Sequence, residues 1–236
     1  MTGRTADVAI IGGGVHGCSI AWHLAREGVK TVLFERDYLS SGASGRSAAG
    51  IRQQFGTTIN CRLSIYNMEK FPVLQDELEY GADLEYDPSG YLWIAYSETQ
   101  LAQLKKNVQL QNSLGIASRI LTTDEINEIA PHLDTEGMLG ASWNEKDGHI
   151  NPHTLTFAYG DAARREGAEI FTETEVTGLQ MGSGKIVGVK TSRGDWEVGT
   201  VVCAAGPWSV DVARWIGLDV PITPERHQLL VTEPVE

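Results

Sequence analysis

The chain has 236 residues, 42% of them hydrophobic and 21% charged, which suits a soluble globular protein with one core or two small ones and excludes the disordered and fibrous classes. A formal net charge of −12 opposes association with phosphate backbones, so no nucleic-acid partner is expected. Apolar runs such as VAII fall far short of the roughly 20 residues that a membrane helix needs. The polar start MTGRTAD has no secretory core. The expectation is a cytoplasmic protein with no membrane partner.

The first elements come in quick succession. DVAII reads as a buried strand, an amphipathic helix follows from about Gly14 to Glu27 and closes at Gly28, and KTVLFE is a second strand. Within this βαβ unit Gly12, Gly14 and Gly17 stand at GxGxxG spacing. Gly12 permits the tight turn, Gly14 lets the backbone approach a pyrophosphate, and Gly17 with Ala21 allows close helix-to-strand packing. Val15 and His16 lie in the same turn. Glu35, at the end of the second strand, is placed to accept hydrogen bonds from an adenosine ribose, and Arg36 follows it. The register of strand, glycines, helix and acid points to a dinucleotide, with neither FAD nor NAD selected. The cysteines Cys18, Cys61 and Cys203 show no metal-binding spacing, so no metal is expected and the three read as buried, reduced, small apolar residues.

The next segment, SSGASGRSAAGIRQQF, resembles the FAD-dependent amino-acid oxidase and dehydrogenase family, which includes glycine oxidase, dimethylglycine dehydrogenase and sarcosine oxidase. The likeness is greatest to the flavin-bearing beta subunit of heterotetrameric sarcosine oxidase. The resemblance implies that this loop runs along the FAD pyrophosphate, making Ser44, Gly45, Arg46 and Ser47 cofactor contacts. Relatives with flavin attached through histidine carry WHAAG where this chain reads RSAAG. Ser47 fills that position, so the implied FAD is noncovalent. The FMN-linking histidine of the heterotetrameric beta subunit has no clear match in GHINPHT. His149 and His153 there read as surface or helix-start residues.

Further along, GYLWIAYSETQ resembles the family's substrate-domain strand running into a helix, and LTTDEINEIAPHL its acidic helix with a proline. The segment from GASWNEKDGHINPHT to ETEVTGL resembles the return to the FAD domain through a helix and a strand, which gives Val176 the adenine-contacting role. GKIVGVKTSRGDWEVGTVV reads as a hairpin, with Gly188 and Gly194 as bend candidates. VVCAAGPWS resembles the strand that ends beside the cofactor and places Ala204, Ala205 and Gly206 near FAD. HQLLVTEPVE reads as a strand without its next partner. The expectation is a missing C-terminal part or a completing partner subunit.

These segments imply an α/β, two-domain fold: a Rossmann-like FAD-binding domain (1–80 and 145–215) with an inserted antiparallel-sheet substrate domain (81–144 and 216–236). The resemblance implies oxidation of the C–N bond of a small amino acid or N-methyl amino acid to an imine. Arg52, in GIRQQF, is the residue chosen for the substrate carboxylate because a guanidinium offers a planar, permanently charged fork. A surface salt bridge is its alternative role. Tyr91, Trp93 and Tyr96 are either specificity residues or core. A noncatalytic FAD-binding subunit is the competing expectation, and an NAD-dependent dehydrogenase is a third, disfavoured by the glycine-rich second loop.

Overall fold

The computed structural model describes residues 4–226 together with 228, 229 and 233. In chain order the elements begin with β1 (Thr5–Ile11), α1 (Val15–Arg26) and β2 (Thr31–Phe34). Then come β3 (Gly50–Ile51), α2 (Thr58–Glu77), β4 (Tyr91–Ala95), α3 (Glu98–Ser113), β5 (Arg119–Leu121), α4 (Thr123–Ile129), β6 (Gly140–Asn144) and β7 (Gly148–His149). The remainder is α5 (Pro152–Arg165), β8 (Glu169–Phe171), β9 (Val176–Gly182), β10 (Lys185–Thr191), β11 (Trp196–Cys203) and α6 (Ser209–Arg214).

The chain divides into two compact units. The first comprises Met1–Ala48, Leu78–Ala82 and Pro152–Glu236. Its six-stranded sheet has the order β8-β2-β1-β11-β10-β9, in which the first four strands run parallel and β10 and β9 are antiparallel additions. This is the Rossmann-like core expected from the glycine register. Central strands covered on both faces read as continuous apolar runs, as AVILF-rich β1 and β2 do here. One face gathers Ala9, Ile11, Val32, Phe34, Val189 and Val198 into a core, with Phe34 ringed by Phe171 and Trp196 at 5.9 and 5.6 Å. Burying a side chain such as Phe34 contributes about 1.5–3 kcal/mol. On α1, Gly17, Cys18, Ala21, Trp22 and Ala25 are buried and the helix packs along α5.

The segment read as one hairpin forms a three-stranded meander. Gly194, at φ +110°, makes the β10–β11 turn, whereas Ser183 and Gly184 make the β9–β10 turn. Gly188 sits inside β10 at a break in register and not at a bend: a side chain there would meet the Trp196 carbonyl oxygen and Gln180 Oε1 at 2.6 and 2.5 Å.

The second unit comprises Ala49–Glu77 and Asp83–Asn151 and so interrupts the first in sequence. Its antiparallel sheet has the order β4-β6-β5, and β3 pairs with β7 in a separate two-stranded ribbon. Leu121, Ile126, Met138 and Ala141 form its core under Leu92, Ile94 and Trp143. Ser97 caps α3 by accepting the Gln100 N–H, and Thr122 with Glu125 forms a reciprocal capping box on α4. This division runs differently from the expected boundaries. Residues 49–77 and 145–151 join the second unit because β3 bonds to β7, Ile150 donates to the Ala49 carbonyl and α2 packs on α3. The described part of 216–236 falls in the first unit, and most of HQLLVTEPVE lies outside the described residues. Among those described, no helix is long and apolar enough to cross a membrane, and no cluster of three potential metal ligands occurs.

Cys18 and Cys61 are buried as expected, but Cys203, the last residue of β11, is exposed. Burial pushes the Cys18 thiol up to about 12, and it also raises Cys61. A thiol reagent at neutral pH is therefore expected to label one cysteine, Cys203, in native protein and all three after denaturation. Peptide mapping of the native adduct checks this. Fast labelling of Cys18 would show that its packing against the glycine turn is loose.

Candidate functional site

In the first unit β1, β2 and β11 end side by side, with Ile11 in register with both Phe34 and Cys203. Ligands of open α/β sheets bind beyond the carboxyl ends of such strands. A cavity of about 290 Å³ opens there. Its floor is the turn carrying Gly12, Gly14, Val15 and His16, and its sides come from Glu35 and Arg36, from Ser44 and Arg46, and from Val176 and Ala204–Gly206.

The turn shows why glycines are needed. Gly12 has φ +110°, and a side chain on it would strike the Ala204 carbonyl oxygen. A Cβ on Gly17 would be driven into the Gly12 carbonyl, so Gly17 supports the turn from below and does not line the cavity. Gly14 differs from both: at φ −77° its missing side chain has only Ser44 Oγ nearby, at 3.1 Å. Gly14 is also the N-cap of α1 and has no side chain to cap it, and the first turn holds no acidic residue. The positive dipole end of the helix favours an anion at that point.

The Glu35 carboxylate is buried and already engaged. It accepts the Gly13 N–H at 2.6 Å on one oxygen, and the Asp37 N–H at 2.9 Å and the Ser41 hydroxyl at 3.3 Å on the other. A carboxylate has about four acceptor positions, so it retains capacity for a further donor such as a ribose hydroxyl. The 3-10 turn Ser44–Arg46 brings Ser44 Oγ to the Val15 N–H at 3.0 Å. Gly45 faces away, because a side chain there would meet the Ser40 carbonyl and His153. Ser47 is exposed, outside the cavity lining, with its hydroxyl donating to the Ser44 carbonyl at 3.2 Å. His149 is exposed on β7 and His153 is exposed in the first turn of α5, as their sequence context suggested.

Several wall residues carried no expected role. Gly13 is one, since a side chain there would meet Glu35 Cβ at 2.8 Å and Leu39 Cδ2 at 2.7 Å. Trp208 is another: its ring lies 4.0 Å from the Arg36 guanidinium, which also pairs with Asp37 at 3.3 Å. The only sequence signal for Trp208 is its place two residues beyond the Ala204–Gly206 strand end.

Arg52 belongs to the second unit. Directly after β3, it is half-buried, with its guanidinium 4.5 Å from the Trp93 ring and 5.0 Å from the Phe55 ring. Its Nε is buried without a hydrogen-bond partner, and among the described residues Arg52 forms no salt bridge. The surface ion pair considered as its alternative is therefore not what holds it. Trp93 and Tyr96 are exposed at 37% and 58%, so neither is core.

The sequence matches the family of FAD dependent oxidoreductases, DAO, over residues 7–236. The chain belongs to this family. It is 32% identical over 231 residues to the mitochondrial dimethylglycine dehydrogenase of Mus musculus, covering 98% of this chain and 26% of that one. It is 28% identical to sarcosine oxidase subunit beta of Rhodobacter capsulatus, covering 98% of this chain and 56% of that one. Among crystal structures it superposes on L-proline dehydrogenase from P. horikoshii with a TM-score of 0.86 and 31% identity, over 94% of this chain and 58% of that one. The chain thus spans about a quarter of the dehydrogenase's length and just over half of the others.

The family depends on FAD, and the first unit has the features that cofactor requires. The glycine turn leaves a cradle that a Cβ at Gly14 would narrow, α1 turns its positive dipole end toward a pyrophosphate, and Glu35 retains acceptor capacity. Apolar Val176, Val212 and Trp208 line the same cavity and suit an aromatic base.

Proposed function

We propose that the protein oxidises the C–N bond of a small amino acid or N-methyl amino acid, of the glycine, sarcosine or dimethylglycine kind, to an imine with noncovalently held FAD. Bound FAD supplies the two-electron oxidation. The α1 N-terminus and the Gly12–Gly14 turn hold its pyrophosphate, with Arg46 offsetting charge. Glu35 accepts from the ribose, and Val176 and Ala204–Gly206 line the cofactor. Noncovalent attachment is supported by Ser47, which has no nitrogen to bond flavin.

The observation that carries the substrate reading is Arg52, a guanidinium between two aromatic rings with a buried, unpartnered Nε. A buried unpaired donor is costly, and a carboxylate supplies the acceptor it lacks. Arg52 fixes the substrate by its carboxylate, and Trp93 and Tyr96 act on its side chain. Among the described residues β4 and β5 are the edge strands of their sheet, open to pairing with a partner subunit or further sequence.

Purified protein is expected to show oxidised-flavin absorption, to release that flavin to the supernatant on acid precipitation, and to bleach anaerobically on addition of sarcosine, glycine or dimethylglycine. Flavin left on the precipitated peptide overturns noncovalent binding. A colourless protein that retains NAD overturns the FAD reading. Flavin that none of the three amino acids reduces overturns the catalytic reading in favour of a noncatalytic FAD-binding subunit.

A further inference from the structure

A single buried carboxylate holds the segment that carries Arg52. Asp147, between β6 and β7, is fully buried. One of its oxygens accepts the Gln53 N–H at 2.8 Å and the other accepts Gln54 Nε2 at 3.2 Å. Gln54 extends the network: Nε2 also donates to the Tyr91 carbonyl at 2.9 Å, and Oε1 accepts the Ser142 hydroxyl at 2.7 Å. Tyr91 opens β4, and two residues along that strand stands Trp93, the ring against which Arg52 lies. The one network therefore ties down both the backbone beside the guanidinium and the strand bearing its aromatic neighbour.

A carboxylate in this position is expensive. Burial raises its pKa against the opposing pull of the Gln53 N–H, the Gln54 hydrogen bonds and the Arg52 charge. Apolar residues of similar volume join secondary elements as well as buried polar networks do, often with a gain in stability. What they do not provide is a fixed direction for one side chain, whereas a fully satisfied polar network does.

We infer that Asp147 is the positioning residue of Arg52, aligning its guanidinium for a substrate carboxylate through Gln53 and Gln54, with Ser142 as the outer link. This rests on Arg52 being the carboxylate-holding residue. Asp147 itself, being fully buried, acts only through that segment.

The test uses the full, FAD-loaded protein and acetate as a bare carboxylate probe, with Arg52→Ala, Asp147→Asn and Ser142→Ala compared to the parent. Three quantities are read: the rise in thermal midpoint that acetate produces, and the KM and kcat for sarcosine. Arg52→Ala should abolish the acetate effect. Asp147→Asn, which keeps shape and one acceptor, should lose most of it and raise KM for sarcosine roughly ten- to hundred-fold, the scale of an ångström-sized misplacement, with kcat changed less and flavin content preserved. Ser142→Ala should shift the acetate effect and KM in the same direction by a smaller factor.

If Arg52→Ala removes the acetate effect while Asp147→Asn leaves it and KM at parental values, the positioning role is overturned and the Arg52 reading stands. If Arg52→Ala changes nothing, the Arg52 reading itself falls. Should Asp147→Asn fail to fold, Ser142→Ala decides: a folded variant with an unchanged acetate effect and KM overturns the proposal.

Discussion

Gly14→Val is expected to weaken the protein's hold on its flavin without unfolding it. The backbone at Gly14 is extended in a way any L-residue adopts, with φ −77° and ψ 179°, and the new Cβ meets only Ser44 Oγ at 3.1 Å. The added methyl groups therefore enter the cavity where α1 presents its N–H groups. Overpacking of this kind costs about 1–3 kcal/mol, and spent on a ligand it weakens Kd roughly ten- to hundred-fold. Gly17→Ala is the informative contrast. Its Cβ is driven into the Gly12 carbonyl, which is backbone and has little room to yield. A cost of about 2 kcal/mol there lowers Tm by roughly 4–8 °C for a chain of this size. Flavin titration and thermal unfolding of the two variants should separate: Gly14→Val loses affinity at near-parental Tm, whereas Gly17→Ala loses Tm. Parental flavin affinity in Gly14→Val would show that the pyrophosphate does not lie on this turn.

The same contrast explains how much was legible before the fold was known. The first βαβ unit was open to reading because its constraints are local: a glycine at φ +110°, a second beneath it, a helix that stops at Gly28 with φ +76°, and an acid at a strand end. Glu35 was foreseen as an acceptor, but its grip on the Gly13 N–H was not, since that bond is made by loop geometry and not by spacing. α2 gave no usable periodicity. Its buried Cys61, Met68 and Leu74 are matched by exposed Ile59, Leu63, Tyr66 and Val73, so apolar residues surround the helix, and Pro72 breaks the pattern further. Asp147 was invisible for a different reason. Its partners Gln53 and Gln54 lie more than 90 positions away, and nothing in DGHINP marks the Asp as buried. Cys203 looked like the other two cysteines because composition does not tell the middle of a strand from its end.

Arg52→Ala is expected to produce the largest loss of function with the smallest loss of structure. The side chain lies between Trp93 and Phe55 and among the described residues forms no salt bridge, so truncation removes stacking contacts and one favourable charge near Asp147 but breaks no ion pair, and flavin content should barely change. If the guanidinium holds the substrate carboxylate, each charge-assisted hydrogen bond lost is worth about 1.5–3 kcal/mol, so kcat/KM falls by roughly one to two powers of ten per bond. Arg52→Lys keeps the charge and loses the planar fork, and is expected to recover part of that loss. The decisive comparison is anaerobic flavin reduction by an amino acid against reduction by the matching amine that lacks the carboxylate, in parent and variant. A carboxylate-holding arginine makes the first substrate suffer and leaves the second near its parental rate, because the amine never engaged the guanidinium. Equal losses for both substrates, or loss of the flavin itself, would instead make Arg52 a structural residue wedged between two rings, and the substrate role would be refuted.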